Sequence, residues 1–195
     1  WPIYSWRGKD NLFDRESFLK SKVRAYFNLE TEESIGQPNW DLQKGKPSYH
    51  KHSYEWEYDE GTIGRKLDFT EWRESQAYQA FSAYESLKKQ RLLGYDGMLW
   101  CSLHGGANTA TYEKPIIDYY GHAKLAFYAL QQAFGTVLAG SKDVDVVYGP
   151  EDTISPVITS INQKEKVNLR IVVKDSGGAV VDEKIYKNIE LSGER

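Results

Sequence analysis

The hydrophobic pattern is densest between Gly97 and Phe134, GMLWCSLHGGANTATYEKPIIDYYGHAKLAFYALQQAF. Met98 to Leu103 is a short apolar run. As a strand it would put Met98, Trp100 and Ser102 on one face and Leu99, Cys101 and Leu103 on the other. Both faces are mostly apolar, the pattern of a parallel strand covered on both sides. After the break at Gly105-Gly106 and the segment IIDYYG, a second period emerges. Ala123, Ala126, Phe127, Leu130 and Phe134 recur at helical spacing, with Gly121 before them and Gly135 after. The unit is strand, loop, helix, with Trp100 near the carboxyl end of the strand, where a barrel-type enzyme keeps its site.

Upstream, residues 1–20 show no sustained strand period and predict a loop leading into a short helix with Asp14 as a candidate cap. In residues 23–32, Val23, Ala25, Phe27 and Leu29 alternate with Arg24, Tyr26, Asn28 and Glu30, which predicts a strand ending in acids. Residues 37–66 are long, polar and irregular, with aromatics and His50 and His52 interleaved; a loop of that length in a compact domain is often functional. Residues 68–92 predict a helix. Asp68 and Glu71 have the spacing of a capping box, and Ala77, Ala80, Phe81, Tyr84 and Leu87 form an apolar stripe. Lys88, Lys89 and Arg91 load its last turn and Gly94 ends it. Strand, helix, strand and helix in succession predict βα units and a parallel sheet.

Past Gly140 the pattern changes to β-branched runs of alternating polarity: VDVVY, SPVITSI, VNLRIVVKD and VVDEKIYKNIEL. Turn signals separate them at Gly149-Pro150, Asn162-Gln163 and Ser176-Gly177-Gly178. This predicts an all-β module of sandwich type, with fewer strands than the usual seven. The chain therefore divides into residues 1–137 and 138–195.

Composition narrows the function classes. The 195 residues include 6 Trp and 14 Tyr, an aromatic load suited to stacking on sugar rings or bases as well as to an aromatic-rich core. A net charge of −3 with mixed signs and no basic face gives no nucleic-acid footprint. No run is apolar enough to predict a membrane span. The single cysteine, Cys101, excludes an internal disulfide and a cysteine-based zinc site, and its apolar surroundings predict a buried structural thiol. WPIYSW at the start is already aromatic and loop-like, and reads as the middle of a longer polypeptide.

The acids closing the first strand, Glu30, Glu32 and Glu33, are the sharpest candidates for chemistry. A carboxylate there would lie on the catalytic face of a βα barrel, where glycoside hydrolysis requires two carboxyls. The competing expectation is a solvated cluster of loop charges. Trp100, one strand away, could floor a sugar subsite or be a core tryptophan. His104 could hydrogen-bond a hydroxyl or cap the loop. His50 and His52 lack a third clustered ligand, so no metal site is predicted. No phosphate-binding loop, dinucleotide fingerprint, nucleophile elbow or H-E-x-x-H pattern is present.

The stretches G-M-L-W-C-S-L at 97–103 and I-I-D-Y-Y-G-H-A-K at 116–124 resemble the last barrel strand, and the segment after it, of glycoside hydrolase family 2. That group holds β-galactosidases, β-mannosidases, β-glucuronidases and exo-β-glucosaminidases. Trp100, Asp118, Tyr119, Tyr120, Gly121, Lys124 and Tyr128 have counterparts there. His104 departs from the more usual asparagine. Upstream, F-N-L-E-T at 27–31 is similar to the nucleophile strand of the mannosidase and exo-glucosaminidase branch, and the text from Trp1 to Trp6 to the aromatic stretch before it.

The resemblance implies an α/β fold: the C-terminal part of a TIM (β/α)8 barrel over residues 1–137, followed by a partial Ig-like β-sandwich over 138–195. It implies part of a retaining exo-acting β-glycosidase acting on a carbohydrate substrate without metal or cofactor, with Trp6, Trp100 and His104 facing the sugar. The strand match assigns the nucleophile to Glu30, whereas the family's spacing from acid to glycine, counted back from Gly36, favours Glu32. The acid/base glutamate would lie on an earlier strand, so the remaining polypeptide is the implied partner and the chain alone is expected to be inactive. The alternative is a non-catalytic carbohydrate-binding or scaffold protein on the same fold.

Overall fold

A computed structural model describes residues 27–31, 36–43, 69–100, 103–104, 114–141, 151, 153–161 and 165–191. The expected helix after Asp14, the loop around His50 and His52, and Cys101 lie outside the described residues. Strand β1 (Phe27–Thr31) and strand β2 (Gly97–Trp100) pair in parallel, as the alternating pattern predicts, with helix α1 (Trp72–Leu92) between them in sequence. Phe27 stands opposite Gly97, Asn28 opposite Met98 and Thr31 opposite Trp100, so the register slips by one residue between Asn28 and Thr31.

Met98 and Trp100 pack against the hydrophobic core, whereas Leu99 between them is 59% exposed. The expected alternation is therefore present in β2, where the Met98 and Trp100 face is covered and the cover expected over Leu99 is not found among the described residues. Helix α1 and helix α2 (Leu125–Ala133) form that covering layer. Ala83 and Leu87 of α1 meet Ala126, Leu130 and Ala133 of α2, with Ile116 closing the cluster.

The predicted apolar stripe of α1 requires correction. Leu87 is buried, but Ala77 is exposed and Phe81 is 53% exposed. The buried face carries Ser75, Gln76, Gln79, Ser82, Ser86 and Gln90 beside Ala83 and Leu87. Some of its polar groups reach the backbone of other segments, where buried backbone groups must find partners. Asn28 Nδ2 donates to Gln90 Oε1 at 3.2 Å, Gln79 Nε2 donates to the Lys114 carbonyl at 2.9 Å, and Gln76 serves two further segments described below.

The ends of α1 follow from local chemistry. Gly94 adopts φ 87°, its N–H donates to the Arg91 carbonyl, and the Tyr95 N–H reaches back to the Gln90 carbonyl. That is a Schellman stop, and a glycine meets its left-handed position without strain. At the other end Glu71 is the N-cap with no side-chain cap bond, and Phe69–Glu71 is a 3-10 turn; Asp68, the other half of the expected capping box, lies outside the described residues. Arg91 crosses to the end of α2. Its Nη1 donates to the carbonyls of Ala133 and Gly135, the latter at 2.7 Å, which supplies acceptors at a helix terminus with their missing donor.

Beyond α2 the chain forms two antiparallel ladders. Strand β3 (Val137–Ser141), which the pattern does not predict, pairs with β4 (Pro156–Ser160). Strands β5 (Glu165–Lys174) and β6 (Val180–Leu191) form a hairpin around Asp175, whose Oδ1 accepts the N–H groups of Gly177 and Ala179. The turn falls where Ser176-Gly177-Gly178 predicts one. Among the described residues no helix is long and apolar enough to cross a membrane.

Candidate functional site

Parallel strands present their carboxyl ends, and the loops that follow them, to one side of a sheet, where ligands bind in α/β proteins. Glu30 is the next-to-last residue of β1, in the stretch where the register with β2 slips. Two residues earlier, the buried Asn28–Gln90 hydrogen bond ties the strand to α1. Trp100 ends β2 opposite Thr31, so the strands bearing Glu30 and Trp100 are direct neighbours. The Trp100 side chain packs against the α1–α2 core, and its indole N–H is shielded with no hydrogen-bond partner among the described residues. His104 is exposed and forms a parallel backbone bridge with Ile117. Trp6, Glu32 and Glu33 lie outside the described residues.

The described end of the loop after β2, from Ile116 to Lys124, turns around the Asp118 carboxylate. Asp118, 4% exposed, accepts the N–H groups of Tyr120 and His122 through Oδ1, each at 2.9 Å. Its Oδ2 lies 3.0 Å from His122 Nδ1, the pairing a carboxylate makes with an Nδ1–H tautomer, which orients the imidazole. Gly121 at φ 87° lets the chain turn back so that Asp118 N–H reaches the His122 carbonyl. Ile117 then bridges Ala123, and Lys124 N–H bonds the Ile116 carbonyl, delivering the chain to the start of α2.

The segment after β1 docks on the same region. Gln37 N–H donates to Ser75 Oγ at 2.9 Å, Gln76 Nε2 donates to the Gln37 carbonyl at 2.9 Å, and Trp40 Nε1 donates to Gln37 Oε1 at 3.0 Å. Gln76 Oε1 accepts the Leu125 N–H at 3.1 Å, satisfying one of the open donors at the α2 N-terminus. One side chain therefore joins the loop after β1 to the loop after β2.

Between these loops lies a cleft of about 190 Å³, bounded by Asn39 and Leu42 from the first loop, Trp72 and Gln76 from α1, and the 118–125 segment from the second. The Arg73 guanidinium stacks 4.4 Å from the centre of the Trp72 ring. Among the described residues no three histidine, cysteine or acidic side chains cluster as metal ligands.

The cleft was not legible from residue type alone. Asn39, Trp72 and His122 come from three separate stretches, and only the Asp118–Gly121 spacing carries a local turn signal. No protein-family model matches the chain, and no curated protein shows significant similarity to it.

Proposed function

We propose that this chain is the C-terminal part of the catalytic barrel of a retaining exo-acting β-glycosidase, followed by part of a β-sandwich. The observation that carries the reading is the parallel pairing of β1 with β2, which makes neighbours of the Glu30 and Trp100 strands at their carboxyl ends. The irregular register at Glu30 adds support, since bulges concentrate beside active sites and re-aim side chains. The resemblance of F-N-L-E-T, G-M-L-W-C-S-L and I-I-D-Y-Y-G-H-A-K to the family 2 glycosidases supplies the reaction.

In that mechanism the Glu30 carboxylate attacks the anomeric carbon and forms a covalent glycosyl intermediate. A second carboxyl, contributed by polypeptide outside this chain, protonates the departing oxygen and then activates water. Glu32 is the second candidate for the nucleophile, and the resemblance assigns Trp6, Trp100 and His104 to the sugar; Trp100, packed against the α1–α2 core, would offer it only the part of its ring left uncovered. The test is replacement of Glu30 and of Glu32, singly, by glutamine in the polypeptide that carries the acid/base residue. The Glu30→Gln change is expected to lower turnover of an aryl β-glycoside by about a thousandfold or more, and Glu32→Gln by far less. Full activity in both variants would refute the assignment, as would hydrolysis by the present chain alone.

A further inference from the structure

We infer that the outer edge of β6 is a self-association surface, where a second copy of this chain adds its own β6 antiparallel about a two-fold axis at Ile185. Strands β5 and β6 form a sheet of two, so β6 has a second edge that no described strand pairs. Every residue from Val180 to Asn188 is exposed, with Val180, Val181 and Ile185 more than half so. A long exposed edge without proline is a template for another strand. A lone pair of strands is also marginal in water, and joining two hairpins makes a sheet of four.

Charge selects the occupant and the register. Val181 is an extra residue between the Val173–Asp182 and Lys174–Val180 pairs, and Asn188, at φ 57°, sits in a second irregularity between Tyr186 and Ile189. Between these bulges β6 is regular. A two-fold axis normal to the sheet keeps each side chain on its own face, so residues meet only at even separations. Centred on Ile185, the pairing sets Glu183 against Lys187 twice, Lys184 against Tyr186 twice, and Ile185 against itself. Centres at Asp182, Glu183, Lys184 or Lys187 set like charges together, and a centre at Tyr186 opposes none. Opposite charges across a strand pair stabilise it and like charges destabilise it.

The groups are ready for that register. Arg170 holds both oxygens of Glu183 at 2.9 Å, and Lys187 forms no ion pair among the described residues. The edge of β5 offers no equivalent. Glu165 lies an odd number of positions from Lys166, Arg170 and Lys174, so no two-fold register brings it against a base. One edge therefore associates and the other does not, and the assembly closes at two copies.

The inference does not depend on Glu30 and is tested on the 195-residue chain as it stands. Sedimentation over a concentration series is expected to show a dimer with a dissociation constant below about 1 mM. Lys187→Glu sets acid against acid at both charged pairs and is expected to raise that constant about tenfold or more. Lys174→Glu makes the same charge change on β5 and is expected to leave it within about twofold. An equimolar mixture of Lys187→Glu and Glu183→Lys is expected to recover dimer, because each acid then meets a lysine. Nitrogen-15 NMR checks that the hairpin is intact in each variant. Where Glu183→Lys disturbs it through loss of the Arg170 pair, Lys187→Glu against Lys174→Glu decides alone. A chain still monomeric at about 1 mM would overturn the inference and leave the edge to a strand of another polypeptide. So would equal weakening by Lys187→Glu and Lys174→Glu, or association beyond two copies.

Discussion

Helix α1 and the β5–β6 hairpin are the longest elements among the described residues, and they resolve their polar groups in opposite ways. The hairpin pairs only the facing edges of its two strands and gains little cover for its side chains, so that Val180, Ile185 and even Val181, at 61%, stand exposed. Helix α1 satisfies its backbone internally, yet spends its buried side chains on other segments: Ser75 and Gln76 on Gln37, Gln76 on Leu125, Gln79 on Lys114, Gln90 on Asn28. Apolar content does not separate the two. What separates them, among the described residues, is where side-chain hydrogen bonds go: those of α1 reach distant segments, and those of the hairpin, such as Arg170 to Glu183, stay within it.

Breaking the α1 half should therefore cost far more than breaking the hairpin. The largest effect is expected for Leu87→Ala, which empties a buried position between α1 and α2 and should lower unfolding free energy by about 2–5 kcal/mol in urea titrations. A loss below 1 kcal/mol would mean that the two helices do not share a packed core. Next comes Arg91→Ala. It leaves the Ala133 and Gly135 carbonyls without their charged donor and should cost about 1.5–3 kcal/mol, with Arg91→Lys recovering only part because lysine lacks the fork. Gln76→Leu keeps the volume and removes both hydrogen bonds, so about 1–3 kcal/mol is expected from the stranded Gln37 carbonyl and Leu125 N–H. On the hairpin, Val181→Thr should change stability by no more than about 0.5 kcal/mol, and a larger change would show that its exposed face is covered in solution.

The two halves should also respond to opposite ends of the pH scale. The Arg170 guanidinium, 2.9 Å from both oxygens of Glu183 through separate nitrogens, holds that carboxyl below the usual carboxylate range. Its contribution is present above the unfolded carboxyl value and is lost as pH falls through the lower folded value. Burial, with Glu85 adding to it against Arg91, pushes the Tyr84 phenol above the usual tyrosine range. Stability from that site is complete below the unfolded value and declines as pH rises through the folded one. Residue-resolved NMR should see the hairpin respond to acid and the surroundings of Tyr84 to alkali, with Tyr84→Phe flattening the alkaline response.

Much of the framework was readable from the sequence. The alternation of Met98, Leu99 and Trp100, the stop at Gly94, the helix over 125–133 and the turn at Asp175 each depend on a few neighbouring residues, so local pattern suffices. The buried face of α1 was not readable, because periodicity counts apolar side chains while Gln76 is buried against two loops and Gln90 against Asn28 of β1. Strand β3 was missed for a related reason. VLAGS has weak strand character, and its identity comes from pairing with β4 fifteen or more residues on. At the candidate site, the positions of Glu30 and Trp100 on neighbouring strands followed from pattern, but the docking of the 36–43 segment onto Gln76 did not.

The central claim is that the polar face of α1, through Gln76, holds the loops after β1 and β2 together as one site. Native-state hydrogen exchange of the Leu125 amide in the unmodified chain and in Gln76→Leu tests it directly. Leu125 should exchange with protection close to that of the buried turns of α1. Gln76→Leu should accelerate Leu125 exchange by about tenfold or more and leave the amides of β5 and β6 unchanged. Equal Leu125 exchange in the two proteins would contradict it.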